Sequence, residues 1–239
     1  MKAVLLVGGL GTRLRSAVPL LPKALARVGE RPFLELLVMQ LCRQGVRQLV
    51  MCTGYMAKQI EEVFGDGSAF GVRIDYSEEA TPLGTAGAIK LAQHYLQDES
   101  EFLLLNGDSF FEIDLSEFIT FHRTHYSLAT MAVTQVQNAS RYGTVQLKDD
   151  GRVLGFVEKT GRNIPGIINA GIYIFGRAIL AQIPDGSASL ERDVFPRILE
   201  QRVYAFERQG LFIDIGTPDD YGRANVICDQ LSDIAMYEY

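Results

Sequence analysis

Residues 4–25 read VLLVGGLGTRLRSAVPLLPKAL. An apolar run suited to a buried strand breaks into Gly8, Gly9 and Gly11, then delivers Arg13 and, ten residues later, Lys23 behind a proline. Glycines at such a turn let the backbone approach a ligand and aim its N–H groups at an anion. Arg13 can fork onto phosphate oxygens, while Lys23 brings a mobile point charge. Two familiar phosphate loops do not fit. A P-loop puts Lys-Ser/Thr after its last glycine, whereas Thr12 and Arg13 follow Gly11. The dinucleotide fingerprint wants a third glycine where Leu14 stands, which disfavours an NAD-dependent enzyme. The stretch reads as a phosphate site of another kind, at the carboxyl end of a first buried strand.

Outward from that strand the alternation continues. Residues 33–44 read as an amphipathic helix ending at Gly45, 48–53 as a strand and 56–64 as a helix. A strand over 72–77, a helix over 84–97 and a strand over 102–108 follow. Buried strands separated by helices predict a doubly wound, mostly parallel (Rossmann-like) α/β sheet with ligands at its carboxyl edge. After residue 126 the pattern changes. LATMAVTQV (128–136), GTVQL (143–147), RVLGFVEK (152–159) and GIINAGIYIF (166–175) are strands with few helices between them. No linker, repeat or low-complexity segment divides the chain, so 1–239 is expected to form one domain with halves of about 1–126 and 127–239.

Composition narrows the function. With 47% hydrophobic and 22% charged residues, the 239-residue chain matches an ordinary globular protein. A net charge of -6 argues against nucleic acid as a partner, since that binding leans on clustered Lys and Arg. No apolar run approaches the ~20 residues of a membrane span, and Met1-Lys2 leads straight into a strand pattern, so the expected location is the cytoplasm. Cys42, Cys52 and Cys228 lack metal-site spacing and read as reduced buried thiols. His122 and His125, one helical turn apart, find no third ligand and are expected on a solvated helix face.

Several motifs together resemble the sugar-1-phosphate nucleotidyltransferases. Gly9-Leu10-Gly11-Thr12-Arg13-Leu14 with Pro22-Lys23 is similar to that family's nucleotide-binding segment, and PLGTAGAI (82–89) to its loop around base and ribose. NGDSFF (106–111) looks like its metal-aspartate loop. RYGTV (141–145), FVEK (156–159) and NAGIYIF (169–175) look like its sugar-binding elements, and IDIGTPDDY (213–221) like its closing segment. The motifs run in family order over roughly residues 2–226.

The resemblance implies a reaction and a site. Gly8, Gly9, Gly11, Thr12, Arg13, Lys23, Leu83, Gly84, Thr85, Gly107 and Asp108 would hold the nucleotide, with Arg13, Lys23 and Asp108 catalytic. Asp108 and Asp214 would bind Mg2+; a carboxylate inside LFIDI should be buried and in need of a partner. Gly143, Glu158, Lys159, Asn169 and Gly171 would hold the sugar phosphate. The wording GTRLRS, LGTAGAI and NGDSFF is similar to the heptose 1-phosphate guanylyltransferase branch, which implies GTP and a heptose 1-phosphate as substrates for surface polysaccharide. The rivals are a hexose 1-phosphate enzyme using GTP, UTP, dTTP or CTP, and a regulatory subunit that only binds nucleotide sugars. Many members of that family pair up as homodimers, while the residues themselves do not set the oligomeric state of this chain.

Overall fold

The computed structural model describes residues 1–157, 161 and 163–236. The first half contains β1 (Ala3–Leu6), β2 (Arg27–Val28), β3 (Arg31–Pro32), α1 (Phe33–Arg43), β4 (Gln48–Thr53) and α2 (Ala57–Phe64). It continues through β5 (Arg73–Glu78), α3 (Gly84–Leu91), β6 (Glu101–Asn106), β7 (Ser109–Phe111) and α4 (Leu115–Thr124). Then come β8 (Ala129–Val136), β9 (Thr144–Leu147), β10 (Val153–Val157), β11 (Gly166–Gly176) and α5 (Phe195–Ile198). The chain closes with β12 (Val203–Glu207), β13 (Phe212–Asp214), α6 (Pro218–Val226) and α7 (Cys228–Met236).

Successive side chains of β1 explain why this strand is central. Ala3 and Leu5 join one apolar core, with Phe33 and Leu37 of α1 and Phe118 of α4. Val4 points the other way, into a second core with Ile89 of α3 and Phe195 of α5. A strand buried on both faces must be hydrophobic at consecutive positions, as AVLL is. Among the described residues the sheet runs β10-β9-β11-β6-β1-β4-β5, with β8 branching from β11 and β12 pairing with β8. Strands β6, β1, β4 and β5 are parallel, whereas β11 runs antiparallel to β6, β8 and β9. The fold is therefore an α/β sheet, parallel in its first half and continued by a β-rich second half.

Strand order positions the site. From the edge the parallel strands are β5, β4, β1 and β6, so the winding reverses beside β1. Ligands of open α/β sheets bind at such a reversal, beyond the carboxyl ends of the strands. Leu6 pairs in register with Cys52 of β4 and Asn106 of β6, which aligns Gly8, Gly54 and Asp108 along that edge.

His122 departs from the expected solvated face. It is 3% exposed, and with Leu115 and Phe118 it forms the buried stripe of α4, a 3–4 residue spacing that outweighs its polarity. Its Nδ1 shares a 2.8 Å hydrogen bond with Thr130 Oγ1. Burial pushes its pKa from 6.5 down to about 4, against the raising influence of Glu101. The unfolded chain takes up this proton near pH 6.5 and the folded one does not until about pH 4. Stability should therefore be full above pH 6.5 and fall by on the order of 3 kcal/mol as pH drops through that window. Denaturant titrations between pH 4 and 7.5 should show this slope, and His122→Gln should flatten it. An unchanged slope in the variant would assign the acid sensitivity to other groups. His125 is half-buried and stacks on Phe121 at 4.0 Å between ring centres.

Candidate active site

Beyond β1 the chain stays close to β4: Val7 N–H donates to the Cys52 carbonyl at 3.0 Å. Gly8 then passes so near β4 that a Cβ would lie 3.1 Å from the Thr53 carbonyl carbon and from Glu79 Oε1. A Cβ on Gly9 would meet nothing within 4 Å, since the residue borders open space. That space is a cavity of about 310 Å³, bordered by Gly8, Gly9, Lys23, Gly84, Gly107 and Asp108. Gly11 adopts φ +57° and packs on the Lys23 side chain, so the loop returns over the 3-10 turn at Lys23–Leu25. Gly11, Thr12, Arg13 and Leu83 do not line the cavity. Thr12 and Arg13 are exposed on the loop beside it.

Glu79 lines the same cavity, and sequence reasoning passed over it. It immediately follows β5, and its Oε2 accepts a hydrogen bond from Leu83 N–H at 2.9 Å. The next segment is strapped to the second half of the chain. Ala86 and Gly87 N–H donate to the Ala188 carbonyl, and Ala188 N–H to the Leu83 carbonyl. Thr85 Oγ1 accepts from Leu190 N–H at 2.8 Å. Gly84, at φ +71°, has no room for a side chain: a Cβ would sit 2.6 Å from the Ala188 oxygen. Gly84 and Thr85 thus border the cavity and tie it to residues 188–190.

Two sequence-distant carboxylates meet across the short β7–β13 pairing. Asp214 pairs with Ser109, and Ile215 N–H donates to the Asp108 carbonyl at 2.9 Å. Gly107 lets this turn approach β1, where a Cβ would lie 2.5 Å from Val7. Lys23 Nζ donates to Asp108 Oδ2 at 2.6 Å. Asp214 Oδ1 accepts from Gly216 N–H at 2.7 Å. Burial, then the Asp108 charge, holds the Asp214 carboxyl above its ordinary pKa, with Lys23 opposing the shift. Two like charges and one ammonium thus meet in a half-buried setting, an arrangement that perturbs a carboxyl as functional sites often do.

A second pocket, about 280 Å³, shares Asn106 and Asp214 with this centre and takes in Gly143, Asn169 and Gly171. The β11–β8 register shifts between Asn169 and Tyr173, an irregularity that includes Gly171 at φ +78°. A Cβ on Gly171 would be 2.6 Å from Ser109 Oγ. The Asn169 amide is already engaged: Nδ2 donates to the Tyr173 hydroxyl at 2.5 Å, and Oδ1 accepts from Gly171 N–H at 3.0 Å. Arg141 lines the pocket, its guanidinium held by Asp220, a 2% exposed carboxylate that also accepts from Thr217 Oγ1 at 2.7 Å. Glu191 and Arg192 complete one wall. The motif RYGTV contained Arg141, but nothing in the sequence around Glu191 marked it. Glu158 and Lys159 lie outside the described residues.

A glycine-edged cavity at the sheet's switch point, opening onto a cation-balanced carboxylate pair, defines an α/β enzyme for nucleotide phosphate chemistry. The chain belongs to the nucleotidyl transferase family, whose profile matches residues 2–230. A D-glycero-alpha-D-manno-heptose 1-phosphate guanylyltransferase from Aneurinibacillus thermoaerophilus is 40% identical over 226 residues, 94% of this chain and 96% of that protein. A mannose-1-phosphate guanylyltransferase catalytic subunit beta from Danio rerio is 39% identical over 225 residues, 92% of this chain. The chain spans only 62% of that protein's length. The crystal structure of HddC from Yersinia pseudotuberculosis complexed with GMP-PN matches with a TM-score of 0.84 at 35% identity, over 94% of this chain and 98% of that one.

Proposed function

We propose that this protein condenses GTP with D-glycero-α-D-manno-heptose 1-phosphate, giving GDP-heptose and pyrophosphate for surface polysaccharide. The observation that carries the reading is the near full-length likeness to the Aneurinibacillus enzyme, 96% of whose length is covered. Mannose 1-phosphate is the second reading, favoured by the 39% identity of the Danio protein. Glu79 supports guanine as the base. A carboxylate accepts from two neighbouring donors, and guanine alone among the common bases presents N1–H beside an amino group. No helix among the described residues is long and apolar enough to cross a membrane; the cytoplasm is the proposed place of work.

An oxygen of the sugar 1-phosphate attacks the α-phosphorus, forming one P–O bond as the bond to pyrophosphate breaks. Two anions must meet, so positioning and charge neutralisation carry the catalysis. The Gly8–Gly9 turn admits the triphosphate, Lys23 meets the α-phosphate and Arg13 the departing pyrophosphate. Asp108 and Asp214 are hard oxygen donors suited to Mg2+, and Lys23 offsets their charge. When bound, the metal would polarise the phosphate oxygens.

Pyrophosphate release from GTP, UTP, dTTP and CTP against heptose, mannose and glucose 1-phosphates tests the reading. GTP with heptose 1-phosphate should give the highest kcat/KM, and Glu79→Gln should shrink the preference for GTP by roughly tenfold. No release with any pair would sink the enzyme reading in favour of a binding subunit. A preference for mannose 1-phosphate would select the second reading.

A further inference from the structure

We propose that Glu191 is a specificity-determining residue, which takes two neighbouring hydroxyls of the sugar while Asn169 shapes the wall beside it. The inference rests on the sugar 1-phosphate reading of the second pocket and names the group that reads the sugar's hydroxyls.

Glu191 sits in a single π-helical turn, Leu190–Val194, between the nucleotide strap and α5. Such turns are rare and frequently occur at functional sites. This one is fixed from several directions. Leu190 N–H donates to Thr85 Oγ1, Ser189 N–H to Asp193 Oδ2 at 2.7 Å, and Arg192 N–H to Ser189 Oγ at 3.3 Å. Leu190 and Val194 are 2% and 0% exposed, so they anchor the turn in the core. Its backbone is therefore rigid while the Glu191 side chain is exposed and borders the pocket.

Hydrogen-bond accounting decides between Glu191 and Asn169. Asn169 has one amide hydrogen on Tyr173 and its oxygen on Gly171, which leaves one N–H and one lone pair, fewer acceptor sites than a carboxylate keeps. Glu191 Oε1 lies 3.5 Å from Asn169 Nδ2, a long contact, and its carboxylate joins no ion pair among the described residues. A free carboxylate has two acceptor oxygens, which suit the paired O–H donors of a vicinal diol. Charge also sets orientation. The carboxylate repels the sugar's phosphate and favours its hydroxylated side. The ligand class is thus a glycosyl 1-phosphate with adjacent free ring hydroxyls.

The test compares wild type, Glu191→Gln and Glu191→Ala, using GTP with heptose 1-phosphate, mannose 1-phosphate and monodeoxy derivatives of the latter. Glu191→Ala should raise KM for sugar 1-phosphate on the order of tenfold or more while KM for GTP stays within about twofold. Wild type should penalise loss of one hydroxyl, and the variant should lose that penalty; Glu191→Gln should fall between. The proposal fails if both KM values move together or if the deoxy penalty survives in Glu191→Ala. Should wild type turn over none of these pairs, the functional reading falls and the Glu191 proposal with it. An active wild type with an unaffected variant removes Glu191 alone.

Discussion

Lys23→Ala should lower kcat by on the order of 10²–10³ while GTP binding weakens far less. Its ammonium is 2.6 Å from Asp108 Oδ2, so it stands where negative charge collects. During transfer that charge grows on the α-phosphate, and a contact that strengthens in the transition state is lost mainly from kcat. The turn at Gly8 and Gly9 still borders the cavity in the variant, and Arg13 remains beside it, so ground-state affinity has other sources. Lys23→Arg should not restore the rate. Gly11 already packs 3.1 Å from Lys23 Cβ, measured to an ideal Cβ, and the same construction at Gly216 gives 3.3 Å to Lys23 Nζ. A broad planar fork does not fit a space closed by two glycines around a compact ammonium. Isothermal titration of GTP beside single-turnover kinetics separates the effects. A normal single-turnover rate with lost affinity would make Lys23 a binding residue only.

The sequence made the parallel half of this protein legible because each element satisfies one requirement at a time. AVLL, QLVMCT and EFLLLN are hydrophobic at successive positions because both faces of the sheet are covered, and helices separate them. His122 departs from its expected place because a polar residue on an amphipathic helix reads as exposed, whereas spacing with Phe118 puts it inside, on Thr130 of β8. Motif resemblance named Asp108 and Asp214. Their juxtaposition is a tertiary fact, made by pairing between β7 and β13. Glu79 and Glu191 were illegible for the same reason. Each reaches its cavity through a distant contact, Glu79 beside Gly8 and the Glu191 turn through Leu190 to Thr85. Composition carries no trace of either.

Asp108→Asn and Asp214→Asn should each lower magnesium-dependent turnover by at least about 10³-fold, since several kcal/mol of charge stabilisation depends on the pair holding its metal. Their effects on stability should differ in sign. Asp108 is the partner of Lys23, whose side chain is only 12% exposed, so Asp108→Asn weakens a close ion pair of a mostly buried ammonium. Asp214 is mostly buried, and it is the neighbour of Asp108 that burial and like charge oppose. An asparagine there keeps the shape and can still accept from Gly216 N–H, while the repulsion disappears. Without metal, Asp214→Asn should therefore melt at or above the wild-type temperature, and Asp108→Asn a few degrees below it, about 2–4 °C per kcal/mol in a protein of this size. Added Mg2+ and GTP should raise the melting temperature of wild type more than that of either variant. Normal turnover in both at saturating Mg2+ would remove the carboxylates from the metal site. A clear loss of stability in Asp214→Asn would instead mean that Lys23 outweighs the repulsion from Asp108, and that the pair is structural before it is catalytic.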